Sequence, residues 1–366
     1  MRKIVVNFFR IVIATIFIVS GFVKAVDVVG FSFKLEEYFS PTVFNISFLE
    51  QLSLPIAVLV VGLELVLGLM LLLKIKLKQT LWLLIALCVF FAFLTFYSAF
   101  YNKVTDCGCF GDAIKFTPWQ SFTKDIVLLA GLVLLWIFYK KDFKLKENPK
   151  KLQLIAILLG SIIFGFIIIH GIVSEPIIDF RDYKIGTNLK LEKQKIAKNP
   201  AEYKSYYTLK NKSTGEEKQV SQDDFVEKEE YWREGTPWEI QENKNHTELV
   251  KEGYKSEIVK FNIEDAAGNN YTQEIIDAPL AILVFSYAPE KADKSLVLAI
   301  ENKLVKQKNA LVMGVSPNPN LFQKIKGSMM DATAIKTIAR SNPFVLVLKN
   351  GVIVDKMPGK EFLKND

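Results

Sequence analysis

The amino-acid sequence predicts an α-helical membrane bundle of about five transmembrane helices, followed by an α/β domain outside the membrane. Three observations lead to this fold class. The 366-residue chain is 50% hydrophobic yet 23% charged, a mixture typical of a membrane part joined to a water-exposed part. Its long apolar segments all lie before residue 171. The strands and helices predicted after residue 279 follow an order that favours an α/β sandwich.

Five segments are long and apolar enough to cross a bilayer as helices. They are residues 4–23, 53–73, 79–100, 118–139 and 152–170. Arg2 and Lys3 before the first segment also fit a signal peptide, but the segment lacks an Ala-x-Ala site and is longer than a usual signal core. We therefore expect it to remain in the protein as a transmembrane helix.

The distribution of lysines predicts the orientation of these helices. Lys74, Lys76 and Lys78 follow the second segment, and six lysines lie in residues 140–151 after the fourth. Because basic loops face the cytoplasm, we expect the N-terminus inside and residues 171–366 outside. The net charge of +7 is then explained by loop lysines, so the predicted partner is the lipid bilayer and not nucleic acid.

Two local patterns describe the segments between these helices. Phe31, Leu35, Tyr38 and Phe39 have helical spacing, which predicts a short amphipathic helix that lies on the membrane or caps the bundle. The sequence 117–120, Thr-Pro-Trp-Gln, predicts a capping box with proline at the first position of the fourth helix.

Cys107 and Cys109 form a Cys-Gly-Cys sequence in residues 101–117, which we call the Cys loop. The predicted topology places this loop in an oxidising compartment, where thiols form disulfides. A bridge between residues i and i+2 closes a strained, easily reduced ring, and Gly108 permits unusual backbone angles. We predict a redox pair. The alternatives are a fixed structural disulfide, two idle thiols, or a metal site, which the lack of a nearby histidine or third cysteine disfavours.

Glu64 is an ionisable residue deep in the second segment, and such residues are costly in lipid. It would relay protons during thiol oxidation or hold a quinone-like acceptor; the alternative is a neutral side chain that hydrogen-bonds between helices. Cys88 is predicted to be a small core residue, and His170 an interfacial residue. Lys24 and Asp112 would either tune thiol acidity or anchor the helices at the interface. No metal is expected.

Residues 175–278 are predicted to connect the last span to the α/β domain. They are polar, with many lysines, glutamates and asparagines. The pattern predicts a helix at 223–234 and two β-hairpins, one from 206–211 and 217–220, the other from 258–263 and 271–276.

Residues 279–366 predict strands at 280–285, 310–315, 344–348 and 352–355 and helices at 291–307 and 332–340, with an Asn350-Gly351 hairpin turn. This order resembles the thioredoxin fold, in which Pro343 would be the cis proline before the last hairpin. Thioredoxins carry Cys-x-x-Cys after the first buried strand, whereas this chain has Ser286-Tyr287-Ala288-Pro289-Glu290. The resemblance implies a domain that binds or positions a partner without thiol chemistry.

The membrane half resembles the DoxX-like and MauE-like bacterial membrane proteins, which are related to the vitamin K epoxide reductase-like four-helix arrangement. The resemblance lies in the Ser-Gly-Phe-Val-Lys sequence at 20–24, in Glu64, and in the sequence from Cys107 to Asp112, where Gly111 is a structural residue. It implies a four-helix domain at 1–140, a lysine-rich loop and fifth helix at 141–174, a connector at 175–278 and a degenerate thioredoxin-like domain at 279–366.

The resemblance also implies a place and a role, because MauE-like proteins are associated with maturation of a disulfide-rich enzyme subunit. We expect a bacterial inner-membrane protein whose Cys107 and Cys109 exchange electrons with a partner's thiols or a lipid-soluble carrier. The second hypothesis is a non-catalytic scaffold of a cell-envelope complex, with structural cysteines and an outer domain that docks the partner.

Overall fold

The structure is a computed structural model, and it describes residues 2–101, 103–104, 108, 110–140 and 149–365, with Arg2 by its backbone alone. The chain forms two compact units, one made of residues 1–186 and 262–366 and the other of residues 187–261. Five helices are long and apolar enough to cross a membrane, which confirms the predicted multi-pass membrane protein.

The helices of the first 173 residues are α1 Arg2–Val26, α2 Val28–Phe39, α3 Ser47–Gln51, α4 Ser53–Leu72, α5 Leu77–Tyr101, α6 Pro118–Tyr139 and α7 Lys151–Val173. In the bundle α1 packs mainly against α4, and α5 mainly against α6. Most side chains of α7 are exposed, because it contacts the rest of the bundle chiefly through α4 and α1.

Helix α2 caps the bundle. The four residues of the predicted apolar stripe are all buried, with exposures from 1% to 6%, and the helix contacts α4 and α7. The alternative of a helix lying on the membrane is therefore wrong, since burying this stripe against other helices removes it from both water and lipid. Asp27 begins the helix by accepting a hydrogen bond from the Gly30 amide at 2.9 Å.

The start of α6 is the predicted capping box. The Thr117 hydroxyl accepts from the Gln120 amide at 3.3 Å, and the Gln120 side chain accepts from the Thr117 amide at 3.0 Å. These bonds satisfy two of the amides that a helix start leaves unpaired. The end of the Cys loop is thus set by a local sequence signal.

The C-terminal part of the first unit is a five-stranded sheet with helices, which we call the sheet domain (residues 262–366). Its elements are α10 Thr272–Asp277, β5 Ala281–Phe285, α11 Lys294–Leu304, β6 Leu311–Ser316, β7 Lys326–Met329, α12 Ala332–Ile338, β8 Phe344–Lys349, β9 Val352–Pro358 and α13 Gly359–Lys364. The strand order is β7-β6-β5-β8-β9. Strand β6 pairs parallel with β5 and β7, and β8 pairs antiparallel with β5 and β9. The Asn342-Pro343 peptide bond is cis.

Two features here differ from the sequence prediction. Strand β7 was not predicted, because its Lys-Gly-Ser-Met sequence lacks an apolar run. The second predicted hairpin is wrong, because Glu257–Lys260 is a 3₁₀ helix and Thr272–Asp277 is an α-helix. Thr272, Ile275 and Ile276 are buried, and their spacing has the period of a helix.

The second unit, residues 187–261, contains α8 Leu189–Lys198, β1 Glu202–Asn211, β2 Glu217–Ser221, α9 Gln222–Glu227, β3 Trp238–Ile240 and β4 His246–Lys251. Strand β1 pairs antiparallel with the other three strands. Its pairing with β2 confirms the first predicted hairpin. The helix predicted at 223–234 is shorter than expected, because α9 ends at Glu227 and a 3₁₀ turn follows.

Candidate functional site

The residue between the two cysteines of the Cys loop is packed against α2. Cys107 and Cys109 themselves lie outside the described residues. Gly108 is buried with φ +62°, and a Cβ built on it would lie 3.0 Å from Cγ of Lys34. A side chain at position 108 would thus be strained by its backbone and crowded by its neighbour. The backbone of Gly111, with φ +51°, also lies in the left-handed region, which favours glycine.

Asp112 of the Cys loop is linked to the sheet domain by Arg340. The Arg340 guanidinium donates to Asp112 Oδ2 at 3.0 Å and to both carboxylate oxygens of Asp27 at 2.8 and 2.9 Å. We call these three residues the Arg340 junction. Since Asp27 begins α2, one arginine from the sheet domain holds both the Cys loop and the end of the first span. Such charge-assisted bonds are the strong ones among protein hydrogen bonds.

Asp27 is held ionised at this junction. Burial by itself raises the pKa of its carboxyl, but the charge of Arg340, its hydrogen bonds and the charge of Arg181 together bring the pKa below its ordinary value. Arg181 is 3% exposed and donates to the carbonyl of Ile338, at the end of α12, at 2.9 Å. The segment that follows α7 therefore contacts the same part of the sheet domain as the bundle does.

Further contacts between α2 and the sheet domain surround the junction. Lys336 forms an ion pair with Glu36 at 2.8 Å, and the rings of Phe33 and Tyr287 meet edge to face with centroids 5.1 Å apart. Burial and the charge of Glu36 raise the pKa of Tyr287 to about 12. Tyr287 belongs to the segment 286–290 that follows β5, so this segment contacts the helix whose Lys34 packs on Gly108.

A buried ion pair lies inside the bundle, where Glu64 was predicted as a candidate site residue. Lys24 Nζ of α1 lies 2.6 Å from Glu64 Oε2 of α4, and both side chains are 2% exposed. Gly21 lets the two helices approach closely here, since a Cβ at this position would lie only 2.9 Å from Cγ of Leu65. The Lys24 ammonium also lies 4.6 Å from the centroid of the Phe91 ring, a cation–π distance.

A second ion pair, which the sequence analysis missed, lies nearby on α6. Lys124 Nζ is 2.7 Å from Asp125 Oδ1, and Thr95 donates to the other carboxylate oxygen at 3.1 Å. Cys88 Sγ donates to the Asp125 carbonyl at 3.2 Å, which agrees with its prediction as a core residue. Lys124 lies 5.3 Å from the ring centroid of Phe110, the residue after Cys109. We call Lys24, Glu64, Lys124 and Asp125 the intramembrane cluster.

The two ion pairs line one small cavity. It leaves about 10 Å³ for the centre of a water molecule, and its walls include Ser20, Cys88 and Phe91 as well as the four charged residues. A quinone ring is many times larger than one water, so the residues around Glu64 do not fit the quinone-like acceptor expected there. Glu64 does bond between helices, and its partner is Lys24 of α1.

The other predicted residues lie apart from this cavity. His170 is in the last turn of α7, and its ring contacts Phe166. Pro343 lies in the sheet domain, where its carbonyl accepts from the Gly359 amide at 3.0 Å. Among the residues that the structure describes, no three His, Cys, Asp or Glu side chains are grouped to hold a metal ion.

Comparison with known proteins finds a similarity for the first four of the five spans. Residues 2–138 match the family model described as Methylamine utilisation protein MauE, so the part of the chain that holds α1 to α6 and the Cys loop is similar to this family. No curated protein matches the chain. The likeness to DoxX-like and vitamin K epoxide reductase-like proteins stays a prediction.

Proposed function

We propose that this protein exchanges electrons between thiols and disulfides of exported proteins, through Cys107 and Cys109. The observation that carries the proposal is the Cys-Gly-Cys sequence together with the way its neighbours are held. Gly108 packs on Lys34 of α2, and Asp112 is bound by Arg340 of the sheet domain. The described neighbours of the two thiols are thus held by α2 and by the sheet domain, which supports a role for this loop in binding a partner.

In the proposed exchange, a thiolate of an exported protein attacks the disulfide between Cys107 and Cys109. The attack forms a mixed disulfide and releases one cysteine as a thiolate, which takes up a proton. The partner's second thiol loses its proton and attacks the mixed disulfide. The partner gains a disulfide, and the pair gains its two electrons as two thiols. A second protein that carries a disulfide oxidises the pair again by the same steps in reverse.

The sheet domain would hold the site without taking part in the exchange. Residues 171–366 contain no cysteine, so this region offers no thiol of its own. Its order of a β-α-β unit followed by an antiparallel pair supports a thioredoxin-like fold. The lysine distribution supports a position outside the cytoplasm. The segment 286–290 and Arg340 would serve as a holder of the Cys loop.

The exchange is tested by trapping thiols in living cells with an alkylating reagent, before and after the respiratory chain is blocked. We expect the pair to change its oxidation state, and we expect Cys107→Ser or Cys109→Ser to capture mixed disulfides with exported proteins. Cys88→Ser is the matched control and should leave trapping unchanged. A pair of constant oxidation state, with both substitutions harmless in cells, would contradict the proposal.

A second function is a membrane scaffold, in which the cysteines only stabilise the loop. The Arg340 junction favours it, because buried ion pairs that join the sheet domain to the bundle also suit a rigid platform. The scaffold predicts that both cysteine substitutions leave the binding of envelope partners intact. Captured mixed disulfides would exclude a role limited to scaffolding.

A further inference from the structure

The intramembrane cluster places charged side chains at buried positions where apolar side chains would also support the fold. Four charged side chains from α1, α4 and α6 meet around one cavity, and the side chains of Lys24, Glu64 and Asp125 are 2–3% exposed. Charges inside a membrane protein are costly, and replacing a buried ion pair with apolar residues of similar volume often stabilises a protein. The cluster therefore calls for an explanation other than stability.

The cavity has the size and the lining that a water molecule needs. A buried water requires space of roughly 10–15 Å³ for its centre and two to four polar partners, and the cavity provides about 10 Å³. The groups that face it are Lys24 and Ser20 from α1, Glu64 from α4, Cys88 from α5, and Lys124 and Asp125 from α6. Each of the four helices thus contributes at least one polar side chain.

The two ends of the cavity differ. Towards the Cys loop lies Lys124, whose side chain is 22% exposed and contacts the Phe110 ring. On each helix the next turns in the opposite direction carry apolar residues that are at most 5% exposed: Ile13, Leu67, Leu71, Leu81, Leu84 and Leu132. These side chains belong to one packed apolar cluster, which closes the cavity at that end.

We propose that the cavity binds one water molecule that bridges the two ion pairs and is reached only from the end of the bundle that carries the Cys loop. The bound water donates hydrogen bonds to the Glu64 and Asp125 carboxylates. A proton that enters from the end with the Cys loop and binds one carboxylate can then pass through this water to the other, as the water gives up one proton and takes up another. The apolar cluster stops it from passing to the other end. This inference does not depend on the thiol exchange.

X-ray radiolysis tests the water site, because hydroxyl radicals formed from a bound water oxidise the side chains beside it. Phe91 lines the cavity and is 8% exposed, while Phe39 is 6% exposed and lies in the packing of α2 against the bundle. We expect Phe91 to be oxidised several times faster than Phe39 in the intact protein. Equal rates for the two rings would overturn the water site.

A variant that fills the cavity tests whether the fast oxidation of Phe91 depends on the bound water. Ser20→Val puts methyl groups into the space, and we expect the rate at Phe91 to fall to that of Phe39. Phe39 reports folding, because an unfolded variant would be oxidised at both rings. A folded Ser20→Val protein that keeps the fast rate at Phe91 would also contradict the site. The double variant Cys107→Ser with Cys109→Ser should behave as the parent, which separates this test from that of thiol exchange.

The closed end is tested in sealed liposomes that carry a pH difference and an internal pH dye. We expect the protein to leave the pH difference intact, since the apolar cluster blocks passage. A leak that Glu64→Gln removes would show a path through the cavity and overturn the one-ended access.

Discussion

The intramembrane cluster and the Arg340 junction use the same chemistry in two different places. Each contains ion pairs of 2.6–3.0 Å with at least one buried partner, and the Lys24–Glu64 and Arg340 pairs join elements that are distant in sequence. The cluster lies within the membrane-spanning helices, whereas the junction lies where those helices meet the sheet domain. The comparison shows that the contribution of an ion pair to stability depends on its surroundings, because the cost of removing charges from water depends on what replaces the water.

The surroundings suggest different roles for the two sites. At the junction, Arg340 makes three hydrogen bonds to two carboxylates from different segments of the chain. The cluster instead surrounds a cavity, and its lysines rest on aromatic rings. We therefore interpret the junction as a structural link, and the cluster as a site that keeps its charges for a function.

The largest expected effect is at the cluster. Glu64→Leu leaves the Lys24 ammonium buried without its partner, and we expect a loss of about 3–5 kcal/mol in the free energy of unfolding. The double variant Lys24→Met with Glu64→Leu removes both charges and should recover most of that loss. Denaturant unfolding in detergent micelles measures both. A double variant as unstable as the single one would mean that the pair itself stabilises the bundle.

A smaller effect is expected at the junction. Arg340→Met removes the hydrogen bonds to Asp27 and Asp112, and we expect a loss of about 2–3 kcal/mol in the docking of the sheet domain. Limited proteolysis measures it as faster cleavage of residues 262–366 with the helices intact. Lys336→Met is the matched control, because its ion pair with Glu36 is partly exposed and worth about 0–1 kcal/mol. Equal cleavage of the two variants would contradict the link.

The pH dependence of the junction sharpens the comparison. The pKa of Asp27 is lowered in the folded protein, so its carboxylate adds stability above its unfolded pKa of about 3.9. That stability is lost as the pH falls through the lower, folded value. We expect the stability difference between the protein and Asp27→Asn to be constant from about pH 5 to pH 8 and to shrink below about pH 4. Unfolding curves of both proteins across this range measure it, and a difference that grows in acid would contradict it.

The smallest effect is expected at an ion pair that belongs to neither site. Lys115 Nζ lies 3.1 Å from Asp182 Oδ2, but the Lys115 side chain is 34% exposed and the Asp182 side chain is 26% exposed. Lys115→Met should change the free energy of unfolding by less than about 1 kcal/mol. The same unfolding assay gives the baseline for the other variants. A loss as large as that of Arg340→Met would show that the stabilisation by an ion pair does not depend on how deeply the pair is buried.

Local patterns in the sequence predicted much of the fold. The five spans, the α6 capping box and the Asn350-Gly351 turn depend on neighbouring residues alone, and the structure confirms each of them. The predictions that were wrong depended on distant contacts. The helix Thr272–Asp277 was read as a strand, because its buried face becomes clear only once the sheet domain covers it.

The site was predicted in part. Glu64 was singled out because a carboxylate within a span is costly. Lys24 was named as a residue that tunes thiol acidity or anchors the first span at the interface, and its pairing with Glu64 was not predicted. Lys124 and Asp125 were missed, since adjacent opposite charges near the start of a helix are typical of a membrane interface. Arg340 was also missed, because an arginine at the end of a surface helix has no local signal for a partner more than 200 residues away in the chain.

The sequence by itself determined which segments lie in the membrane, where α6 begins and that the only two closely spaced thiols lie between two spans. Those properties follow from apolarity, capping and chain order, which act over a few residues. Only the tertiary structure decided that Lys24 meets Glu64, that a second ion pair shares their cavity and that Arg340 ties Asp112 to Asp27. These contacts bring together residues from distant parts of the chain, because packing, not local preference, determines which charges share a space without water.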